Sequence, residues 1–179
     1  MAKNRSDKIL RTALRRDDPS AVELIWDRYA NDLLAFLLGV LCSKNDAEDV
    51  LQTIFVKIVR KRHRLAKARY LDAYLYRIAR NEAYRFISKR KREKKTQEIT
   101  ESWLTAVENN QELSGLAEKL QMALNQLKQS QREVIILKIY RQKTFLEISR
   151  LLGISQNTAA SRYRYGLEKL RSLLWNLEL

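Results

Sequence analysis

The chain has little of what breaks or staples a fold. Its 179 residues include four glycines, one proline and one cysteine. With Cys42 alone, no disulfide can close within the chain, and a reducing cytoplasm is the natural setting. Cys42 and one histidine, His63, cannot supply the familiar zinc or Cys/His catalytic arrangements. No metal, cofactor or catalytic residue is therefore expected; Cys42 should pack as a small hydrophobe and His63 sit among solvated bases. No apolar run is long enough to span a bilayer, and Met1-Ala-Lys-Asn-Arg lacks the apolar core that should follow in a signal peptide, so membrane insertion is not expected. Few glycines and prolines, against many Leu, Ala, Lys, Arg, Glu and Gln, favour an all-α protein.

What is present is positive charge, unevenly spread. The net charge is +14, which asks for a polyanionic partner, either nucleic acid or an acidic membrane surface. Residues 1–95 carry 24 bases against 12 acids, and residues 116–179 carry 11 against 5. Between them, residues 96–115 hold four acids and no base. That shift reads as an acidic linker between two small helical domains, with Trp103, Leu104 and Val107 able to dock on a partner.

Hydrophobic spacing predicts four helices in the first domain. Ile9, Leu10, Ala13 and Leu14 suggest a short one, stopped near Asp17-Asp18-Pro19. A second, over about 20–42, has a stripe of Val22, Ile25, Trp26, Tyr29, Leu33, Phe36, Leu37 and Val40. Asn45 can cap the third with Glu48 in capping-box register. Its buried side would be Ala47, Val50, Leu51, Ile54, Phe55, Ile58 and Val59, leaving Asp46, Asp49, Gln52 and Lys57 outside. The fourth begins near Tyr70. Sixteen bases and three acids fall between Lys57 and Lys95, interleaved with aromatics. Bases for a backbone and rings for unstacked bases suit single-stranded nucleic acid, each stack contributing roughly 1–3 kcal/mol. With Leu71, Tyr74, Leu75, Ile78, Ala79 and Ala83 facing the core, Tyr76, Arg77, Arg80 and Asn81 are the expected contacts.

Residues 144–171 read as two helices joined by a tight turn. Leu146, Ile148, Leu151 and Leu152 form one apolar side, Gly153 can take a positive φ, and Ser155 can cap the next helix. That helix would bury Ala159, Tyr163, Gly166, Leu167, Leu170 and Leu174. Opposite lie Asn157, Thr158, Ser161 and Tyr165, flanked by Arg162 and Arg164. Amides and hydroxyls bordered by arginines suit the major groove, where Asn pairs with adenine and Arg with guanine or phosphate.

Three blocks resemble one family. Asp46-Ala-Glu-Asp-Val-Leu-Gln-Thr-Ile-Phe, Tyr74-Leu-Tyr-Arg-Ile-Ala-Arg-Asn, and the stretch from Glu147-Ile-Ser through Leu152-Gly-Ile-Ser resemble segments of the bacterial extracytoplasmic-function sigma factors. Gln131-Arg-Glu-Val stands where they carry the same four residues. The resemblance implies a non-enzymatic initiation factor with sigma region 2 in residues 1–95 and region 4, a four-helix unit like the first, in 116–179. It implies that Asp46, Glu48, Asp49 and Gln52 contact a coiled coil of the largest core RNA polymerase subunit, the flap being a further contact. Tyr76, Arg77, Arg80 and Asn81, with the loop at about 63–70, would recognise the −10 element and trap an unstacked base. Gln156, Asn157, Thr158, Ser161, Arg162, Arg164 and Tyr165 would read the −35 element. An anti-sigma factor is a family expectation, as is a bacterial cytoplasmic location, nucleoid-associated in holoenzyme. Departures are Tyr74 for Trp, Arg85 for Asp, Ser88 for Arg, Lys128 for Pro, Ala159 for Val, Ala160 for Lys and Gly166 for Ala.

The residues by themselves leave open a conventional helix-turn-helix repressor or activator, or a basic protein of membrane surfaces or RNA. An enzyme is least supported, because no paired-carboxylate or nucleophile constellation stands out.

Overall fold

The computed structural model describes residues 2–97 and 113–175, with side chains from Ile9 to Glu93 and from Lys119 to Trp175. The docking residues expected at Trp103, Leu104 and Val107 lie outside the described residues. Among the described residues, eight α-helices and one π turn make up the regular structure: α1 (Ala2–Arg15), α2 (Ser20–Leu41), α3 (Lys44–Leu65), α4 (Leu71–Gln97), α5 (Leu113–Gln126), α6 (Gln129–Ile135), α7 (Phe145–Leu152) and α8 (Gln156–Trp175). Among the described residues there is no strand, as the composition implies. Packing separates two units, Met1–Ala83 with Arg150–Gly153 and Tyr84–Ser149 with Ile154–Leu179.

In the first unit, α2 and α3 pack along their length and α1 lies on both. Ile25, Leu33, Phe36, Leu37 and Val40 meet Ala47, Val50, Leu51, Ile54 and Ile58, all buried. The joint between α1 and α2 follows from local chemistry. Asp17 takes a positive φ of 55° and the Asp18 carboxylate accepts the Ser20 N–H at 2.9 Å. That bond holds the Asp18 carboxyl below its ordinary value. The α2–α3 joint is a left-handed residue, Cys42 at φ 54°, followed by Ser43, whose hydroxyl accepts the Asp46 N–H. Ser43, not Asn45, therefore caps α3; Asn45 is already helical. Cys42 is half-buried and its thiol donates to the Gly39 carbonyl, so it closes α2 and does not simply fill the core.

In the second unit, α8 packs on α5 and α6. α6 continues into a π turn over Ile136–Tyr140, closed by the Arg141 N–H on the Ile136 carbonyl. Gly166 lets α8 approach: a Cβ there would sit 2.9 Å from Ile135 Cδ1 and 3.1 Å from Gln131 Cβ. The glycine that weakens α8 by propensity thus brings α8 close to α6.

Several side chains expected inside lie further out. Trp26 is half-exposed and lays its ring edge-on to Phe55, centroids 4.6 Å apart. Val59 is exposed, one position past buried Ile58. Leu146 is exposed because it stands two positions, about 200° of helix, from Ile148. Tyr29, Tyr163, Leu167 and Leu174 are half-buried. Lys57, expected outside, is half-buried and ion-paired with Glu82, tying α3 to α4.

Candidate functional site

Three surfaces gather the residues singled out by sequence. The first is the start of α3. Ser43 fixes its entry, after which Glu48, Asp49 and Gln52 are exposed and Asp46 is half-buried. Asp49, Gln52, Val56 and Val59 follow one another at helical spacing along the exposed side. Val56 and Val59 escaped sequence reasoning, which assigned apolar residues to the core; their neighbours Phe55 and Ile58 already fill it.

The second surface is the loop after α3 and the outer side of α4. α3 kinks at Lys61, where φ is −118° and ψ 15°. His63, Arg64, Lys67, Arg69 and Tyr70 are exposed beyond it. Arg77 and Asn81 are exposed and Arg80 is half-buried. Tyr76 is not with them. It is 2% exposed and meets Phe36 edge-on at 5.3 Å, and its hydroxyl is enclosed without a partner. The reason lies one and two turns on: Ala79 and Ala83 share its face, and their small side chains leave room for a ring. Burial first, then the negative charge of Asp72, pushes the Tyr76 phenol up to about 12.

The aromatics that do accompany the bases are Tyr70 and Tyr74. Arg69 stands over the Tyr70 ring at 5.3 Å and Arg77 over the Tyr74 ring at 4.9 Å. Tyr74, expected in the core, is half-buried and shares a face with Arg77 and Asn81 at three and seven residues. That spacing was the available signal.

The third surface is the turn between α7 and α8. Thr144 and Glu147 form a capping box: Glu147 Oε2 accepts the Thr144 N–H at 2.7 Å, and Thr144 Oγ1 accepts the Glu147 N–H at 3.2 Å. Gly153 has φ 66° and ends α7 as expected. Ser155 Oγ accepts the Thr158 N–H at 3.0 Å and so caps α8. Behind the first turn Ala159 is fully buried. Gln156, Asn157, Ser161, Arg164 and Tyr165 face solvent, and Thr158 is half-buried. The Arg164 guanidinium lies over the Tyr165 ring at 5.0 Å. Arg162 stands on the flank. Three residues after Ala159 and four before Gly166, it lies at the edge of the buried stripe, half-buried, with Nη1 enclosed. No described helix is long and apolar enough to cross a membrane.

Comparison with known proteins shows the family. Residues 25–93 match the sigma-70 region 2 model and residues 117–170 the sigma-70 region 4 model. The chain belongs to the extracytoplasmic-function group of sigma-70 factors. It is 32% identical over 161 residues to the RNA polymerase sigma factor CarQ of Myxococcus xanthus, covering 89% of this chain and 92% of that one. It is 29% identical over 156 residues to sigma factor SigZ of Bacillus subtilis, 86% of each. Among solved structures, the sigma factor RpoE of Bartonella quintana, seen with the anti-sigma factor NepR, superposes with a TM-score of 0.69. The two share 26% identity over 87% of this chain and 97% of that one. This sigma factor acts in promoter-specific transcription initiation by RNA polymerase. The region 2 match takes in most of α2, all of α3 and most of α4; the region 4 match runs from within α5 to within α8, the helix that carries all seven expected −35 residues.

Proposed function

We propose a division of labour between these surfaces. Residues 1–95 act as region 2, residues 96–115 as the linker and residues 116–179 as region 4. On α3, Asp46, Glu48, Asp49 and Gln52 bind the coiled coil of the largest core subunit, and Val56 extends the contact with apolar area. On α4 and its preceding loop, Arg77, Arg80 and Asn81 hold the −10 strand, while Tyr70 and Tyr74 offer the ring faces first assigned to Tyr76. On α8, Gln156, Asn157, Thr158, Ser161, Arg164 and Tyr165 read the −35 duplex, with Arg162 reaching phosphate from the edge.

The observation that carries the proposal is the exposed amide, hydroxyl and arginine face at the Ser155-capped end of α8. Nucleotidyl transfer belongs to the polymerase, so the chain is not an enzyme, and it works in the cytoplasm. An anti-sigma partner fits, since the Bartonella relative is seen with one. Transcription from mapped promoters with purified core polymerase is the direct test. Start sites sharing −35 and −10 sequences are expected; a chain that fails to bind core would sink the proposal. A conventional repressor, by contrast, would bind duplex DNA tightly by itself.

A further inference from the structure

The loop that follows α3 is held from behind by α1. After Leu65 the backbone makes a short tightening turn, with the Lys67 N–H on the Arg64 carbonyl and the Ala68 N–H on the Leu65 carbonyl. Further along, two consecutive carbonyls are both taken by one side chain. Arg11 Nη1 donates to the Ala68 carbonyl at 3.1 Å and Nη2 to the Arg69 carbonyl at 2.9 Å. One guanidinium spanning two consecutive carbonyls fixes both peptide planes, which a lysine's single ammonium would do poorly. A second tie holds the entry to the loop: Asp17 accepts from Arg62 Nε and Nη2, the latter at 2.9 Å. Leu10 and Leu14, buried on either side of Arg11, anchor α1 to the core. Leu65, the last residue of α3, is also buried.

These ties touch loop backbone at one end and the Arg62 side chain at the other. They leave His63, Arg64, Lys67, Arg69 and Tyr70 pointing to solvent. The Arg69 carbonyl belongs to the peptide that leads into Tyr70, the ring over which the Arg69 guanidinium stands. The geometry points to Arg11 as a positioning residue for promoter opening. By clamping the Ala68 and Arg69 carbonyls it sets the loop in the shape that receives an unstacked −10 base. The inference rests on the assignment of this loop to the −10 element. A preformed loop meets the base without first being ordered, so removing the clamp lowers capture without touching DNA or polymerase contacts.

The test uses the sigma factor assembled with core polymerase and fork-junction DNA from a mapped promoter. Its −10 strand is single-stranded and carries either the natural base or an abasic site at each position in turn. The readout is the affinity ratio of base to abasic DNA, alongside core affinity and melting temperature. Wild type should prefer the base at one position. Arg11→Met keeps the stem and loses both hydrogen bonds, and should cut that preference about tenfold with core affinity unchanged. Arg11→Lys, which keeps charge and packing, should show much of the same loss; if Arg11→Met does not fold, Arg11→Lys decides alone. A variant that keeps the full preference overturns the clamp while leaving the −10 assignment standing. A variant that loses core affinity in step with the preference also overturns it, because the tie is then merely structural. A wild-type protein with no preference at any position overturns the −10 assignment, and the clamp with it.

Discussion

α4 and α8 are built from similar residues, and they dispose of them in opposite ways. Each carries tyrosines among arginines with a small amide-bearing residue nearby. On α8, Tyr165 is outside beside Arg164, while buried Ala159 and Gly166 mark the inner stripe. On α4, alanines again mark the inner stripe, at 79 and 83, but Tyr76 follows them inward and lies edge-on to Phe36. Small residues on a helix face thus have two uses. At Gly166 the small residue admits a neighbouring helix; at Ala79 and Ala83 it leaves volume for a ring from the same helix.

The contrast is broken most severely at Phe36. Phe36→Ala removes the wall against which Tyr76 rests and should cost about 3–5 kcal/mol of stability, read by denaturant unfolding. A cost under about 1 kcal/mol would mean that the ring packs elsewhere. Gly166→Leu attacks the corresponding feature of α8. Overpacking against Ile135 and Gln131 should cost about 1–3 kcal/mol and weaken −35 binding. If the variant unfolds like wild type, α8 does not depend on that close approach. On the outer face, Asn157→Ala and Arg164→Ala should each remove about 1–3 kcal/mol of −35 discrimination and spare core affinity. Equal losses of core affinity would show the division of labour to be wrong.

Much of this organisation was legible before any coordinates. The all-α class, the four helices of the first domain, the last two helices with the turn at Gly153, and the Ser155 cap follow from spacing and from residues with one obvious structural use. The exposed face of α8 was readable because a glycine turn and a cap fix where the helix starts, and thereby its phase. What failed was the assignment of amphipathic rings and of positions one step off a stripe. Tyr76, Trp26, Tyr74 and Val59 each lie about 100° from a plainly apolar neighbour, and which side they take depends on volume supplied by another helix. Arg11 could not be found at all, since its partners are backbone carbonyls 57 and 58 residues away.

The smaller effects test caps and single hydroxyls. Ser155→Ala removes the bond to the Thr158 N–H and should lower stability by about 1 kcal/mol in thermal unfolding. No change would mean that another group caps α8.

Tyr76→Phe should have the smallest effect at neutral pH, within about 1 kcal/mol of wild type and in the stabilising direction, because the enclosed hydroxyl gives up water and gains no partner. Promoter opening should be unchanged. A loss of opening without a loss of stability would return the ring to the DNA interface. High pH separates the two proteins further. The folded phenol titrates at about 12, above the ordinary 10, so folding favours its neutral form. That contribution is fully present below pH 10 and is lost as pH rises through about 12, amounting to roughly 2–3 kcal/mol in wild type. Phenylalanine has no proton to lose. The stability difference between variant and wild type should therefore widen between pH 10 and 12, and parallel curves across that window would show that Tyr76 is not enclosed as described.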